Sequence, residues 1–252
     1  MSTLTTQRVE FEQALLALLA GMTSGAGGGA GGGAGLGTID PTRLTVINYV
    51  KAKLDELVPS GEGISFNLSA SPNISNPLDL LIDSHLDEAT KDILLSAPIS
   101  VLTPTDAEIT DGEAYTDANT GYVTLPANFL RLSSFKMTDW LKAIDKPITP
   151  RDKDFKKQSI ICLRGGISKP VAVLTWLNPT TRILQYYSVA ELHTIDHLLY
   201  IPETLAEVFV AKNTYLMDSL AWMCAGKIMQ ITGMFDAAKL AQERVMQSYT
   251  NL

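Results

Sequence analysis

The chain has 252 residues, of which 46% are hydrophobic and 19% charged, and its formal net charge at pH 7 is −7. This length allows one large domain, or one domain with an appendage, and the acidic balance excludes a broad phosphate-binding surface, because non-specific affinity for nucleic acid comes from clustered Lys and Arg. The charged fraction lies below the ~25% of an average soluble domain, which indicates that part of the surface is covered by partner proteins.

The first predicted element is an apolar helix over Thr5–Ala20, and residues 1–20 are interpreted as a docking helix. Its side chains expected at an assembly interface are Val9, Phe11, Leu15, Leu18 and Leu19. Residues 21–37 are mostly glycine and alanine, which is typical of a flexible linker with a mean reach of about 20–25 Å. Two interpretations stay open: the helix packs on another protein, or it folds back onto its own domain.

Residues 38–252 are predicted to form one domain, which starts with two helices over residues 40–98. Asp40-Pro41 and Asn76-Pro77 are typical helix starts, because Asp and Asn cap a helix and Pro fits its first turn. The apolar stripe of the first helix is Leu44, Ile47, Val50, Leu54, Leu57 and Val58. The stripe of the second is Leu78, Leu81, Ile82, Leu86, Ala89, Ile93 and Leu94.

A central β section is predicted over residues 120–190. Its candidate strands are Tyr122–Leu125, Leu130–Trp140, Ser159–Leu163, Val171–Leu177 and Arg182–Val189. Gly165-Gly166 and Asn178-Pro179 are typical hairpin turns, so the strands are expected to pair antiparallel.

The candidate strand Leu130–Trp140 has two faces that are each part apolar and part polar. Strict alternation places Leu132 and Trp140 on one face and Phe135 and Met137 on the other. A strand of this kind is typical of a sheet with neighbours on both sides. Phe135, Met137 and Trp140 are therefore predicted to lie at an assembly interface.

The last section, residues 203–250, is predicted to be helical. One helix covers much of Glu203–Thr232, a second covers Phe235–Tyr249, and Gly233 separates them. Small side chains that allow the two helices to approach closely are Ala221, Ala225, Ala237, Ala238 and Ala241. The predicted fold class is α+β, with N-terminal helices, a small central antiparallel β section and a C-terminal antiparallel helical hairpin.

The search for catalytic and metal-binding patterns yields one weak candidate. His193 and His197 have the i, i+4 spacing that places two imidazoles on one helix face, but the glutamate of a zinc-protease motif is absent and the stretch is not clearly helical. The acidic loop 106–117 lacks the spacing of a calcium-binding EF-hand. We therefore predict a protein that is not an enzyme, with no catalytic residue, metal or cofactor.

The segment Tyr122-Val-Thr-Leu-Pro-Ala-Asn-Phe-Leu-Arg-Leu, followed by a strand that runs to Asp139-Trp140, resembles the middle of head-to-tail adaptor (ring) proteins of short-tailed bacteriophages. The closest likeness is to those of the crAss-like phages. In that family, helices precede this motif and a helical hairpin follows it. Here the hairpin corresponds to the runs Ala221-Trp222-Met223-Cys224-Ala225 and Ala237-Ala238-x-x-Ala241. The sharp part of the likeness covers about twenty residues, and the glycine tract is not part of it.

The resemblance implies a structural virion protein that forms a dodecameric ring between the portal protein and the tail. Partners would be copies of the chain, the portal and neighbouring tail or ring proteins, with DNA passing through the channel without specific binding. The protein would be made in the host cytoplasm and would have no membrane partner. The alternatives are a metal-dependent or other small hydrolase that uses His193 and His197, and a non-viral α+β scaffold module.

Overall fold

The computed structural model describes residues 41–57, 77–114, 120–160, 163–187 and 193–250. The helices are α1 (Pro41–Leu57), α2 (Pro77–Ser96), α3 (Ala206–Lys212), α4 (Met217–Ile231) and α5 (Phe235–Thr250). The strands are β1 (Thr105–Asp106), β2 (Glu113–Ala114), β3 (Thr120–Thr124), β4 (Phe129–Met137), β5 (Ala172–Asn178), β6 (Thr181–Tyr187) and β7 (Ile195–Pro202). The predicted α+β class is confirmed.

The chain divides into two compact units. The helical unit combines the described residues of Met1–Val101 and Thr204–Leu252, and the strand unit is the continuous segment Leu102–Glu203. The predicted sections 40–98 and 203–250 thus belong to the same unit. The β section reaches beyond its predicted limits of 120–190, since β1, β2 and β7 lie outside them.

Apolar stripes build the core of the helical unit where the 3.6-residue period placed them. On α1 the side chains of Ile47, Val50 and Leu54 are fully buried. The predicted stripe of α2 is buried throughout, namely Leu78, Leu81, Ile82, Leu86, Ala89, Ile93 and Leu94. On α5 the buried residues are Ala238, Ala241, Val245 and Tyr249.

Helices α4 and α5 form the predicted antiparallel hairpin. Gly233, at a φ of 82°, turns the chain between them, a conformation that costs glycine little because it has no β-carbon. At the centre of the pair, a β-carbon on Gly226 would lie only 3.1 Å from Cβ of Ala241. The small residues therefore set how closely the two helices pack.

The single helix predicted over much of Glu203–Thr232 is wrong in its first half. Asn213, with φ −132° and ψ 57°, separates α3 from a 3₁₀ turn at Thr214–Leu216 that leads into α4. The Asn213 side chain donates to the carbonyl of Phe209 at 3.1 Å. Asparagine competes in this way for backbone groups that a helix would use, so the helical pattern is interrupted here.

Arg43 and Lys51 of α1 each form ion pairs with other helices of this unit. Arg43 of α1 contacts Asp83 and Asp87 of α2 at 2.5 and 2.9 Å, and Glu207 of α3 at 2.9 Å. Although burial opposes the charge on Arg43, the hydrogen bonds that it donates to Asp87, Asp83 and Glu207 raise its pKa. Lys51 of α1 is 1% exposed and forms an ion pair with Asp79 of α2.

Cys224 lies in the same core and is fully buried. Burial raises the pKa of its thiol to about 12. Since the thiolate is the reactive form, this cysteine is chemically quiet in the folded chain. Cys162 lies outside the described residues.

The strand unit contains two antiparallel sheets. One has the order β1-β7-β4 and the other β2-β3-β6-β5. In the first, Leu132 of β4 is opposite Tyr200 of β7, and in the second Tyr122 of β3 is opposite Gln185 of β6. Strand β7 was not predicted from the sequence, yet it is the central strand of its sheet.

Side chains from both sheets form one apolar cluster in the strand unit. Tyr186, which is fully buried, lies beneath Gly112 and Gly121. A β-carbon on either glycine would overlap the Tyr186 side chain. Glycine is therefore required at both positions, because a larger residue would overlap the Tyr186 side chain.

The predicted strand Ser159–Leu163 is wrong over its described residues. Ser159 closes a 3₁₀ turn that begins at Phe155, and Leu163 lies in a further turn. Gln158 fixes this turn, because its amide donates to the carbonyl of Asp154 at 3.1 Å and accepts from the Gly165 N–H at 2.8 Å. Gly165-Gly166 consequently does not join two strands.

The second predicted hairpin turn, Asn178-Pro179, is confirmed between β5 and β6. The Asn178 side-chain oxygen accepts from the N–H groups of Thr180 and Thr181 at 3.0 and 2.9 Å. Asparagine stabilises turns through such bonds to the following backbone. The hairpin tip is therefore held in one conformation.

Candidate interaction surfaces

The interface predicted at Phe135, Met137 and Trp140 is contradicted by burial, because these side chains of β4 and of the turn after it lie inside the strand unit. Phe135 and Met137 are 0% exposed and Trp140 is 2% exposed. The rings of Phe135 and Trp140 meet edge to face, with centroids 5.2 Å apart. These residues stabilise the unit's own core and are not available to a neighbouring subunit.

Register shifts in β4 explain why strict alternation failed. Relative to β7, the strand slips between Phe129 and Arg131, between Leu132 and Ser134, and between Lys136 and Met137. Each irregularity changes which face the following side chain occupies. Leu132 and Phe135, predicted on opposite faces, are consequently both buried.

The other predicted interface residues, in the N-terminal segment, lie outside the described residues. They are Val9, Phe11, Leu15, Leu18 and Leu19. The same holds for the linker 21–37.

The two histidines make separate local contacts. Nδ1 of His193 is hydrogen-bonded to the Tyr186 hydroxyl at 2.7 Å, and Nε2 of His197 is hydrogen-bonded to the Ser134 hydroxyl at 2.7 Å. His197 lies on β7, with His193 just before it. Residues four apart on an extended chain are separated by about 13 Å, so the i, i+4 spacing does not bring these imidazoles to one helix face.

Charged groups surround both histidines without converging on a metal position. Burial and the charges of Asp139 and Asp111 raise the pKa of Tyr186, and a hydrogen bond from Lys136 lowers the pKa of Asp196 beside His197. Across the described ranges of the chain, no three His, Cys, Asp or Glu side chains are placed to hold a metal ion.

The first candidate surface is the β5 edge surface, which we define as Thr175–Asn178 at the end of β5. Trp176 is 58% exposed and Leu177 47% exposed. Earlier along the strand, Ile148 covers the edge: its N–H donates to the carbonyl of Ala172 at 2.9 Å, and its carbonyl accepts from Leu174 at 2.8 Å. Beyond Leu174, none of the described residues continues this pairing.

Trp176 is held in place although it faces solvent. The Arg182 guanidinium lies 5.7 Å from the centre of the Trp176 ring and 5.3 Å from that of Phe129. Arg182 also donates to the carbonyl of Phe129 at 3.0 Å. A stacked arginine fixed at its other end limits the motion of the indole, so the surface presents a pre-positioned aromatic side chain.

Trp140 and Trp222 are core residues at 2% and 6% exposure, whereas Trp176 lies at the surface. The usable signal for Trp176 was its position two residues before the turn at Asn178. Strand ends next to a tight turn extend beyond the sheet's buried part.

The second candidate surface is an apolar groove in the helical unit, which we call the helical groove. Its volume is ≈ 510 Å³, and it is lined by Asp92, Leu95, Ser96, Met223, Gln242, Val245 and Met246. Val245 is buried at 2% exposure, whereas Leu95 and Met246 are 47% and 61% exposed. The sequence did not predict the groove, because a groove depends on how three helices meet.

Comparison with known proteins gives no match, either to a family model or to a curated protein. No helix within the described ranges is both long and apolar enough to cross a membrane.

Proposed function

We propose that the chain is a structural virion protein that assembles with copies of itself into a ring at the head-to-tail interface. The ring connects the portal protein to neighbouring tail or ring proteins and surrounds the channel through which DNA passes. The resemblance around Tyr122–Trp140 supports this function and implies twelve subunits. It also implies residence in the virion after synthesis in the host cytoplasm, and no catalytic role.

The observation that carries the assembly is the β5 edge surface. An uncovered strand edge offers backbone N–H and C=O groups to another chain, and proteins normally protect such edges. Here the edge ends in Trp176 and Leu177, at 58% and 47% exposure. A segment from a neighbouring subunit would pair with the edge and bury both side chains, which is a common mode of protein recognition.

A contact of this type suits a closed ring. It joins two different surfaces on successive subunits, and a repeated head-to-tail contact closes when its rotation matches a cyclic symmetry. Trp176 is fixed by Arg182 before binding, so less conformational entropy is lost on association.

The charge of the chain is consistent with a DNA conduit. The net charge of −7 disfavours retention of a polyanion, since a strongly cationic channel would hold DNA by non-specific attraction. On this proposal, the acidic charge alone is enough for DNA to pass through the channel without being bound.

The experiment is native mass measurement of the full chain over a concentration series. We expect a closed species of about 330 kDa, twelve times the 27.3 kDa chain mass. The double substitution Trp176→Ser and Leu177→Ser should abolish it, because the main buried apolar contact is removed. Leu141→Ser is the matched control, since Leu141 is 72% exposed in the same unit but is not part of β5.

Two outcomes would contradict the proposal. A wild-type chain that stays monomeric at every concentration and also fails to bind a portal ring is not a ring adaptor. Equal loss of assembly in the Leu141→Ser control would show that the β5 edge has no special role. The hydrolase alternative is addressed separately by His193→Gln with His197→Gln, which we expect to leave the assembled mass unchanged.

A further inference from the structure

We propose that helix α5 is a self-association surface, through which the helical units of two copies of this chain pair antiparallel about a two-fold axis. One exposed stripe of α5 carries both an aromatic side chain and one wall of the helical groove. The aromatic side chain of each copy would fill the groove of the other. The inference uses the helical unit alone and does not rest on the proposed ring.

Four exposed residues of α5 share one face of the helix. Phe235, at its start, is 68% exposed, and Met246, near its other end, is 61% exposed. Between them, Lys239 and Gln242 are exposed as well. Successive members of this set are three or four positions apart, which is the spacing of neighbours along one side of an α-helix. The α5 stripe formed by these four residues is therefore about 16 Å long at 1.5 Å per residue.

The two ends of the α5 stripe can meet only between copies. Gln242 and Met246 line the helical groove with Leu95 of α2, whereas Phe235 does not. Since α5 is continuous from Phe235 to Thr250, the Phe235 ring cannot turn back into the groove of its own chain. A second copy can supply the same ring from outside, where it would contact the Met246 sulfur, and such contacts are favourable.

An antiparallel pair with two-fold symmetry satisfies both copies at once. When Phe235 lies opposite Met246 of the second copy, the same register sets Lys239 opposite Gln242 of that copy. In a contact of this symmetry residue i meets residue j and j meets i, so one register provides the aromatic contact twice. A head-to-tail contact would provide it once and would leave one exposed ring and one open groove.

The charges at the groove fit the same register. Asp92 of α2 lines the groove with Gln242, and it shares Lys227 with Glu88, at 2.6 and 3.0 Å. One lysine thus faces two carboxylates, and a carboxylate can accept more than one donor. Lys239 of the second copy, opposite Gln242, would bring Asp92 a further cation. Within its own chain, no acidic side chain of the described residues forms an ion pair with Lys239.

The first test measures mass in the Trp176→Ser, Leu177→Ser variant, from which the β5 edge contact has been removed. A contact between two short helical stripes is small, which is typical of weak association, so the concentration series extends to about 0.5 mM. We expect monomer at the dilute end and a species of about 55 kDa, twice the 27.3 kDa chain mass, at the concentrated end.

Substitutions on the α5 stripe are then added to this background. Phe235→Ser removes the side chain that fills the groove, and Lys239→Glu sets a carboxylate beside Asp92, so each should weaken association by about tenfold or more. Leu240→Ser is the matched control, because Leu240 is 44% exposed on the same helix but does not line the groove. It should leave association unchanged. Thermal midpoints at the dilute end establish that each variant is folded.

A single cysteine tests the two-fold axis. In the proposed register the two copies of Gln242 are displaced by three residues along the helices, about 4.5 Å at 1.5 Å per residue. Gln242→Cys should therefore form a disulfide between identical positions. Leu240→Cys lies at nearly the same level but on another face of α5, so it should not. Both variants carry Cys162→Ser, and the remaining Cys224 is fully buried.

Three results would overturn the inference. A chain that stays at 27.3 kDa throughout the series would leave the groove to a different partner. Equal weakening in Leu240→Ser and Phe235→Ser, or equal cross-linking of Gln242→Cys and Leu240→Cys, would show that the α5 stripe is not the contact. None of these measurements requires a ring, so failure here is distinguishable from failure of the proposed function, which depends on the mass of the wild-type chain.

Discussion

The buried ion pair between Lys51 and Asp79 adds little net stability, but losing one of the two partners would destabilise the folded chain. Lys51 is 1% exposed and is paired with Asp79, which is 6% exposed. Removing two charges from water costs about as much as their attraction returns, whereas removing one partner leaves a buried charge uncompensated. The contribution of Lys51 therefore depends on whether Asp79 is still present.

The first prediction concerns this pair. Lys51→Met should lower the free energy of unfolding by about 3–5 kcal/mol, because the Asp79 carboxylate stays buried without a cation. The double variant Lys51→Met with Asp79→Leu should recover most of the loss. Urea unfolding of the three proteins provides the comparison.

Lys153→Met is the control for this series, since Lys153 is exposed in the strand unit. It should change the free energy of unfolding by no more than about 0.5 kcal/mol. If the double variant is no more stable than Lys51→Met alone, the ion pair is not the reason for the loss.

At the level of elements, the contact between α4 and α5 depends on the absence of side-chain volume. A β-carbon on Gly226 would already lie 3.1 Å from Ala241. We predict that Ala241→Leu destabilises the helical unit by about 1–3 kcal/mol or more, because overpacking forces the helices apart. The thermal midpoint measures the effect.

Glu243→Leu, on the exposed side of the same helix, separates packing from helix propensity. It introduces the same side chain two residues away, and it should leave the midpoint within a few degrees. A similar fall in both variants would mean that leucine disturbs α5 wherever it is placed.

Elements differed in how far the sequence predicted them. Helical stripes depend on local periodicity, so α2 and α5 were located with their buried residues. Strand β7 was missed because Asp196 and His197 interrupt its apolar residues, and its pairing with β4 is a contact distant in sequence. The run Ser159–Leu163 has strand-like composition, but Ser159 and Leu163 lie in turns beside the Gln158 hydrogen bonds.

The candidate sites were harder to predict than the elements. Phe135, Met137 and Trp140 were expected at a surface because bulges cannot be read from alternation. The exposure of Trp176 was signalled only by its position next to the turn at Asn178. Surfaces form when elements pack together, and one sequence reports on that packing only indirectly.

For the whole molecule, the ion pairs predict how stability depends on pH. Although burial alone would raise it, hydrogen bonds from Arg43 and the Ala206 N–H hold the pKa of Asp87 below its ordinary value. Lys227 and Lys136 likewise lower the pKa values of Glu88 and Asp196. A lowered carboxyl pKa in the folded state stabilises it above the unfolded pKa, about 4, and this contribution is lost as pH falls through the folded value.

We therefore predict that the free energy of unfolding is nearly constant from pH 7 to about pH 5 and declines below about pH 4. Asp87→Asn should be less stable than the wild type at pH 7 and should show a shallower decline. Urea unfolding at intervals from pH 3 to pH 7 measures both slopes. A wild-type curve that rises on acidification would contradict the assignment.

The division of the chain between the two units has a consequence for its synthesis on the ribosome. The strand unit, Leu102–Glu203, is continuous and can fold as soon as it leaves the exit tunnel. Helices α1 and α2 emerge earlier, but the core they share with α4 and α5 is missing until those two helices have been translated. Their apolar stripes stay uncovered during that interval, which makes the nascent helical unit the part most dependent on chaperones.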